Sequence, residues 1–466
     1  MALTKKMKMP HTLVIVGSIL VIFLILTWIV PAGQFERQEF NGRMVVKPGT
    51  FQFVDSNPQG LMAFLMAPIK GMISAAQIIA FILLIGGAFG ILNRTGAINA
   101  GLGSIIELTR KNPEFKKFII PIIMFLFSLA GATFGMCEEV MVFILITIPL
   151  AMAMGYDSLT GIAMPFIGAA AGFAGAFSNP FTIGIAQGIS EIPIFSGWEY
   201  RIVVWLTVTA IAITYVMWYA RRIEKNPSRS IVFELDKTRD LSTMQSEEDM
   251  TFSLKRKIIL LLFLGTIVML IVGVNVWDWY INEIAGLFIA MGLVVAIFSG
   301  LPSNTSVGAF IEGARDMMTA ALVVGLTRGM LIIATEGNII DTILHGIAGI
   351  AGNVPKVISV QLMFVFQIIM NFFVPSGSGQ AALTMPLMAP LSDLIGITRQ
   401  TAVLAYQLGD GLFTNIYPTS GVTMGILAIG KIPYDKWLKF MWPLSIAFFI
   451  IACLLLIPPV VMFVWH

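Results

Sequence analysis

The chain has 466 residues, of which 57% are hydrophobic and only 12% charged, against a charged share of roughly 25% in soluble domains. A membrane protein is the class that fits, and the 43 glycines suit helices that must approach one another closely in lipid. A net charge of +3 is too small to point to nucleic acid, and two cysteines and three histidines exclude a disulfide framework and argue against a zinc enzyme.

Residues 12–30 form an apolar run behind Lys5, Lys6 and Lys8. The run ends in bulky residues before Pro31 rather than at a small-x-small cleavage site, so it reads as an uncleaved first span. Further runs near 74–93, 157–177, 202–220, 257–275, 284–300, 318–335, 397–413 and 440–463 approach the roughly 20 residues that a bilayer requires. Two longer apolar regions, 118–153 and 357–391, each hold a soft centre. The first centre is Gly131-Ala132-Thr133-Phe134-Gly135-Met136-Cys137-Glu138-Glu139 and the second is Pro375-Ser376-Gly377-Ser378-Gly379-Gln380. The apolar arms on either side are too short to cross twice and suit hairpins that go halfway in and return. Such loops are tolerated only where the tip is buried in protein or lines a wet cavity.

Basic residues set the expected orientation. Arg94, Arg110, Lys111, Lys116 and Lys117 precede the first hairpin, nine Lys and Arg lie in or beside 221–257, and Lys431, Lys436 and Lys439 precede the last span. The positive-inside rule then puts these and the N-terminus in the cytoplasm. The first hairpin enters from the cytoplasm, the second from outside. The expected organisation is a first half at 1–222 (hairpin about 118–153, broken helix about 157–190), a cytoplasmic linker at 223–256, and a connecting span with outer loop at 257–283. A second half follows at 284–466 (hairpin about 357–391, broken helix about 397–430). This is an all-α, multi-pass membrane protein with about 10–11 spanning elements and two halves of opposite topology, the inverted-repeat plan of secondary transporters.

The chemistry concentrates in a repeated pentapeptide. Gly175-Ala176-Phe177-Ser178-Asn179 recurs as Gly411-Leu412-Phe413-Thr414-Asn415, and each copy soon meets a proline, Pro180 or Pro418. Proline removes a backbone donor and clashes with the preceding turn, so the helix should open at both places. An opened helix turns amides toward an anion, while freed carbonyls with Ser178, Asn179, Thr414 and Asn415 form a candidate Na⁺ site. The bland alternative is a kinked helix whose polar groups merely satisfy the backbone. Downstream of each break lie Thr182 on one side and Thr419 and Ser420 on the other.

At the second tip, Ser376, Gly377 and Ser378 offer amides and hydroxyls that suit an anionic group. The first tip carries Glu138 and Glu139, and carboxylates in a membrane segment are candidate functional groups. Adjacent glutamates cannot face the same way on a helix, so one is expected to line the site and the other to cap or pair locally. Asp410 lies five positions before Asn415 with Gln407 another turn back, and Arg328 interrupts an apolar span. Arg328 pairs either with Asp410 or a hairpin glutamate, or with a ligand carboxylate. Lys70 reads as a snorkelling or interfacial charge.

Glu138-Glu139 with Gly135-Met136-Cys137, Ser178-Asn179-Pro180-Phe181-Thr182, Pro375 through Gln380, and Thr414-Asn415-Ile416-Tyr417-Pro418-Thr419-Ser420-Gly421 together resemble the ion transporter superfamily of secondary carriers, within it the YfcC branch of the DcuC-type family. The resemblance covers nearly the whole chain. It implies a homodimer, with each protomer split into a scaffold and a moving transport domain. It also implies a substrate drawn from dicarboxylates or, in YfcC-like members, basic amino acids exchanged as arginine for ornithine. The Glu138-Glu139 tip departs from the hydroxyl-amide pair of the dicarboxylate carriers.

Intramembrane charge is an independent guide. Three acids, Glu138, Glu139 and Asp410, outnumber one base, Arg328, which suits a cationic or zwitterionic ligand better than a dianion. The expectation is a secondary active transporter of the bacterial cytoplasmic membrane that moves a basic amino acid by exchange, with no cofactor. The alternative is Na⁺- or H⁺-coupled dicarboxylate movement. An enzyme is not expected, because His11, His345 and His466 sit in no nucleophile–base or metal setting. A channel would more readily show a repeated selectivity loop.

Overall fold

The computed structural model describes residues 12–465 apart from 41–42, 48, 99, 102–103, 105–106, 108–112, 134, 240–252, 278, 280, 349–353 and 464. The N-terminal lysines, Arg110, Lys111 and the second part of the linker lie outside the described residues. Among the described residues, eight helices are long and apolar enough to cross a membrane, and four further apolar helices are shorter.

A first group of helices runs without hairpin or break. α1 (Thr12–Ile29) and α2 (Leu61–Ser74) lead into α3 (Ala76–Arg94). After α10 (Leu254–Val276) and α11 (Ile281–Ser299), the helices α12 (Ser303–Asp316) and α13 (Met318–Glu336) return along them, α12 against α3 and α13 against α2. Glycine makes the contact possible: a Cβ on Gly313 would stand 2.1 Å from the carbonyl oxygen of Gly86. Lys70, expected at the interface, instead bonds Glu336 at 2.6 Å and clasps α2 to α13.

The hairpins and breaks form the second group. α4 (Pro113–Thr133) and α5 (Val140–Ala153) flank the first tip, and both arms pack on α6 (Ser158–Ala174). α6 stops before Gly175, and after the opened segment the chain resumes as a π-helical turn at Pro180–Gly184 and the short α7 (Ile185–Ile189). In the second group of this kind, which follows the short α14 (Ile340–Ala348), α15 (Lys356–Phe373) and α16 (Gly377–Leu394) both pack on α17 (Arg399–Phe413). α17 gives way to a 3-10 turn at Thr414–Ile416, and α18 (Gly421–Ile429) follows. α6 and α17 pack on each other where both open. The long helices α8 (Trp198–Lys225) and α19 (Tyr434–Leu455) close the group.

The two hairpins start at opposite ends of the molecule. Lys116, at the start of α4, bonds Glu224 at the linker end of α8 at 2.6 Å. Gln361, near the start of α15, bonds the Cys453 carbonyl at the far end of α19 at 3.1 Å.

Two features depart from the sequence expectation. The all-α reading omits four short strands, with β1 (Gly33–Gln34) paired to β4 (Gln52–Phe53) and β2 (Arg37–Phe40) to β3 (Arg43–Val46). The signal for the second pair is present in the sequence, an Asn41-Gly42 turn between residues of strand character. Arg37 holds this hairpin down through Asp341, at 2.9 and 3.1 Å.

The first part of the linker is also more than a connector. A 3-10 turn at Pro227–Arg229 leads to α9 (Phe233–Lys237). Asp157 caps α6 through Thr160 N at 2.8 Å and accepts from Tyr219 at 2.8 Å and from linker Ser230 at 2.6 Å. Asp236 accepts from Ser158 N at 2.8 Å and from Arg239 at 2.8 Å, and Arg239 also reaches the Gly430 carbonyl past the end of α18. The linker thus grips both broken helices at the same end. Replacing Asp157 with alanine removes a helix cap and takes the acceptor from the hydroxyls of Thr160, Tyr219 and Ser230. Asp157→Ala is therefore expected to lower unfolding stability by about 2–4 kcal/mol in a denaturation series. A loss below about 0.5 kcal/mol, the level of an ordinary surface change, would show that the linker does not dock.

Candidate functional site

The tips and the second break surround a cavity of about 290 Å³. Glu138 enters it from the first tip, and Ser376, Gly377 and Ser378 from the second. Asp410, Thr414, Asn415 and Thr419 line it from the second broken helix, and Arg328 from α13. Phe23, Phe173, Phe181 and Phe373 supply apolar wall. Residues far apart in sequence meet here because each hairpin ends halfway along its broken helix.

The polar groups are unevenly satisfied. Asp410 is 1% exposed. Its Oδ1 accepts from Asn371 Nδ2 at 2.6 Å, while its Oδ2 is buried without a partner among the described residues. Asn415 Nδ2 and Thr419 Oγ1 are also buried and unpartnered, in residues of the same lining. Buried polar atoms nearly always have partners, so three in one cavity wall make it the candidate place to receive a polar group.

Arg328 makes no ion pair with Asp410 or either glutamate among the described residues, although its charge acts on Glu138. Of the two glutamates, Glu138 lines the cavity, whereas Glu139 is 7% exposed and its Oε2 accepts from Cys137 N at 3.0 Å, closing the tip turn.

Several sequence candidates lie off the cavity. Asn179 is fully buried, its oxygen accepting from Phe181 N at 2.8 Å and its amide donating to the Gly131 carbonyl at 3.3 Å. Ser178 is not part of the lining either, so the four candidate Na⁺ ligands do not share one wall; the Pro180 side chain lies outside the described residues. Gln407 donates to the Phe173 carbonyl and, at 3.1 Å, to Thr182, which fastens the two broken helices together. The Ser420 hydroxyl caps α18 at Thr423 N, 3.2 Å away.

The opened carbonyls of the second break are already engaged. Thr414 O accepts from the Thr423 hydroxyl at 2.8 Å, Asn415 O from Trp437 Nε1 at 2.7 Å and Ile416 O from Tyr434 at 2.6 Å. The expectation that these carbonyls stand free for a cation is therefore revised, because side chains of α18 and α19 take them up.

Sequence reasoning does not single out Asn371, which contacts Asp410 directly. The available signal is a lone amide in the apolar run Ile368-Ile369-Met370-Asn371-Phe372-Phe373, a rare residue type at membrane depth.

The profile of the DcuC family, described as C4-dicarboxylate anaerobic carrier, matches residues 9–461. YfcC of Escherichia coli, whose name proposes a basic amino acid antiporter, is 39% identical over 480 residues, covering 94% of this chain and 93% of that protein. An uncharacterized protein of Haemophilus influenzae is 30% identical over 505 residues, covering 99% and 97%. Two solved structures align over most of the chain. The YdaH transporter of Alcanivorax borkumensis does so at 15% identity and a TM-score of 0.41, covering 96% of this chain and 97% of that one. MtrF of Neisseria gonorrhoeae, from a class of antimetabolite efflux pumps, does so at 16% and 0.41, covering 97% and 95%.

Proposed function

The chain belongs to the DcuC family and is a multi-pass membrane transporter of the DcuC/YfcC type, and from that premise we propose that it carries a basic amino acid by exchange. The observation that supports this reading is the charge of the cavity lining: two carboxylates, Glu138 and Asp410, against one guanidinium, Arg328. A ligand with one carboxylate and two cationic groups restores neutrality, whereas a dianion adds to an existing negative excess and must be desolvated beside it. Arg328 suits the ligand carboxylate, and Asp410 Oδ2 and Glu138 suit the cationic groups. The name of the Escherichia coli relative agrees with this assignment.

A second reading, Na⁺- or H⁺-coupled dicarboxylate transport, is favoured by the description of the family. In it Asp410 and Glu138 hold the coupling cation or proton. The same proposal places the linker and N-terminus in the cytoplasm of a bacterial inner-membrane protein, treats the halves 1–222 and 284–466 as an inverted repeat, and has the protein work as a homodimer.

Calorimetric titration of purified protein with arginine, ornithine and succinate, with and without Na⁺, separates the readings. Arginine and ornithine binding without Na⁺ supports exchange, and succinate binding with no response to arginine overturns it. The two tip glutamates provide a finer check. Glu138→Gln is expected to weaken arginine binding by about 10- to 100-fold, the scale of a lost charge-assisted contact, while Glu139→Gln stays within about threefold because an acceptor oxygen remains for Cys137 N. Equal effects of the two substitutions would contradict the assignment of Glu138 to the ligand.

A further inference from the structure

Behind Asp410 runs a buried ladder of side chains in which each amide has only one workable orientation. Thr384 spends its one hydroxyl hydrogen on the Gln380 carbonyl at 2.9 Å, and Gln380 Nε2 donates to the Gln367 carbonyl at 2.9 Å, a group that can only accept, and to Gln367 Oε1 at 2.7 Å. Gln380 must therefore present its Oε1 forward, where Asn371 Nδ2 donates to it at 2.9 Å. The same Nδ2 donates to Asp410 Oδ1 at 2.6 Å, and Asn371 Oδ1 accepts from the Thr414 hydroxyl at 2.8 Å. Reversing any amide would set like atoms against each other, so the network fixes the assignment.

Asn371, Gln380, Gln367 and Thr384 are each at most 1% exposed. They span both arms of the second hairpin, α15 and α16, and end on α17. The ladder saturates one carboxylate oxygen of Asp410 and leaves the other, Oδ2, unpartnered. Glycine at 377 leaves room beside that oxygen, since an added Cβ would stand 3.0 Å from it.

We infer that Asn371 is a positioning residue that determines cation selectivity. By holding Asp410 Oδ1 it aims Oδ2 at the cavity, and Gln380 in turn holds Asn371. This deepens, and rests on, the reading that Asp410 receives the cationic end of the substrate. A carboxylate held on one side by a neutral amide cannot rotate to bond itself into the protein, so its free oxygen stays available to a ligand donor. A cationic ligand gains from this; an uncharged ligand of the same shape gains little.

The test compares arginine with citrulline, which replaces the guanidinium by a neutral ureido group of the same size, binding to the full-length purified protein. The wild-type chain is expected to prefer arginine. Asn371→Leu is expected to reduce the arginine-to-citrulline affinity ratio by about tenfold or more, through arginine rather than citrulline, the scale of one hydrogen bond to a charged group. Gln380→Met, one bond further out, should move the ratio the same way by about threefold, and it serves if the leucine variant does not fold. A purely structural role would weaken both ligands alike, so an unchanged ratio in a folded variant overturns the inference and leaves the proposed function standing. A wild-type chain that binds neither arginine nor ornithine overturns both.

Discussion

Asp410→Asn is expected to weaken arginine binding by about 30- to 1000-fold, some 2–4 kcal/mol, without unfolding the protein. The side chains are nearly the same size, and an asparagine oxygen still accepts from Asn371, so the ladder behind it keeps its anchor. The change removes the only charge on α17 in the cavity wall. A neutral amide is easier to bury than a carboxylate, so thermal stability should hold or rise slightly. Titration calorimetry and a melting curve on the same sample check both halves of the statement. Arginine affinity within threefold of the wild type would remove Asp410 from the ligand, and a collapsed melting curve would make it a structural residue.

The second large effect lies at the pentapeptide glycines. A Cβ on Gly411 would stand 2.4 Å from Ala174 Cα and 2.6 Å from Ala174 N, which are backbone atoms of the facing broken helix with no rotamer to yield. Gly411→Ala must push α17 off α6 and is expected to destabilise by about 1–3 kcal/mol and to abolish counterflow in proteoliposomes. Gly286→Ala is the control, because nothing lies within 4 Å of its added Cβ and it should be neutral or stabilising by up to about 1 kcal/mol. Wild-type melting and transport in Gly411→Ala would mean that the two breaks do not meet as closely as described.

Hydrophobic run lengths and soft centres suffice to locate both hairpins and both breaks, because lipid leaves a chain few ways to hide its backbone. Side-chain roles follow less directly. Asn179 and Asn415 occupy matching places in the repeat, yet one is used up on Gly131 and Phe181 while the other keeps an unpartnered amide in the cavity wall. The difference comes from which hairpin arm packs beside each, a long-range fact with no local signature. Asn371 meets Asp410 only through the return of the second hairpin, and no spacing rule links those positions. The choice between Glu138 and Glu139 was narrowed by helix geometry to one of each kind, and the tip turn at Cys137 N decides which.

The engaged carbonyls of the second break carry one more consequence. Fixing a loop residue at the moment of binding costs about 1–2 kcal/mol of backbone entropy. Trp437, Tyr434 and Thr423 have already fixed Thr414, Asn415 and Ile416 when the chain folds. On the proposed function, the opened segment meets its ligand as a preshaped jaw, and affinity reports contact chemistry with little ordering to subtract. A carrier that must release the same ligand on the far side benefits, since a rigid jaw can hold moderately and let go without refolding at each turnover.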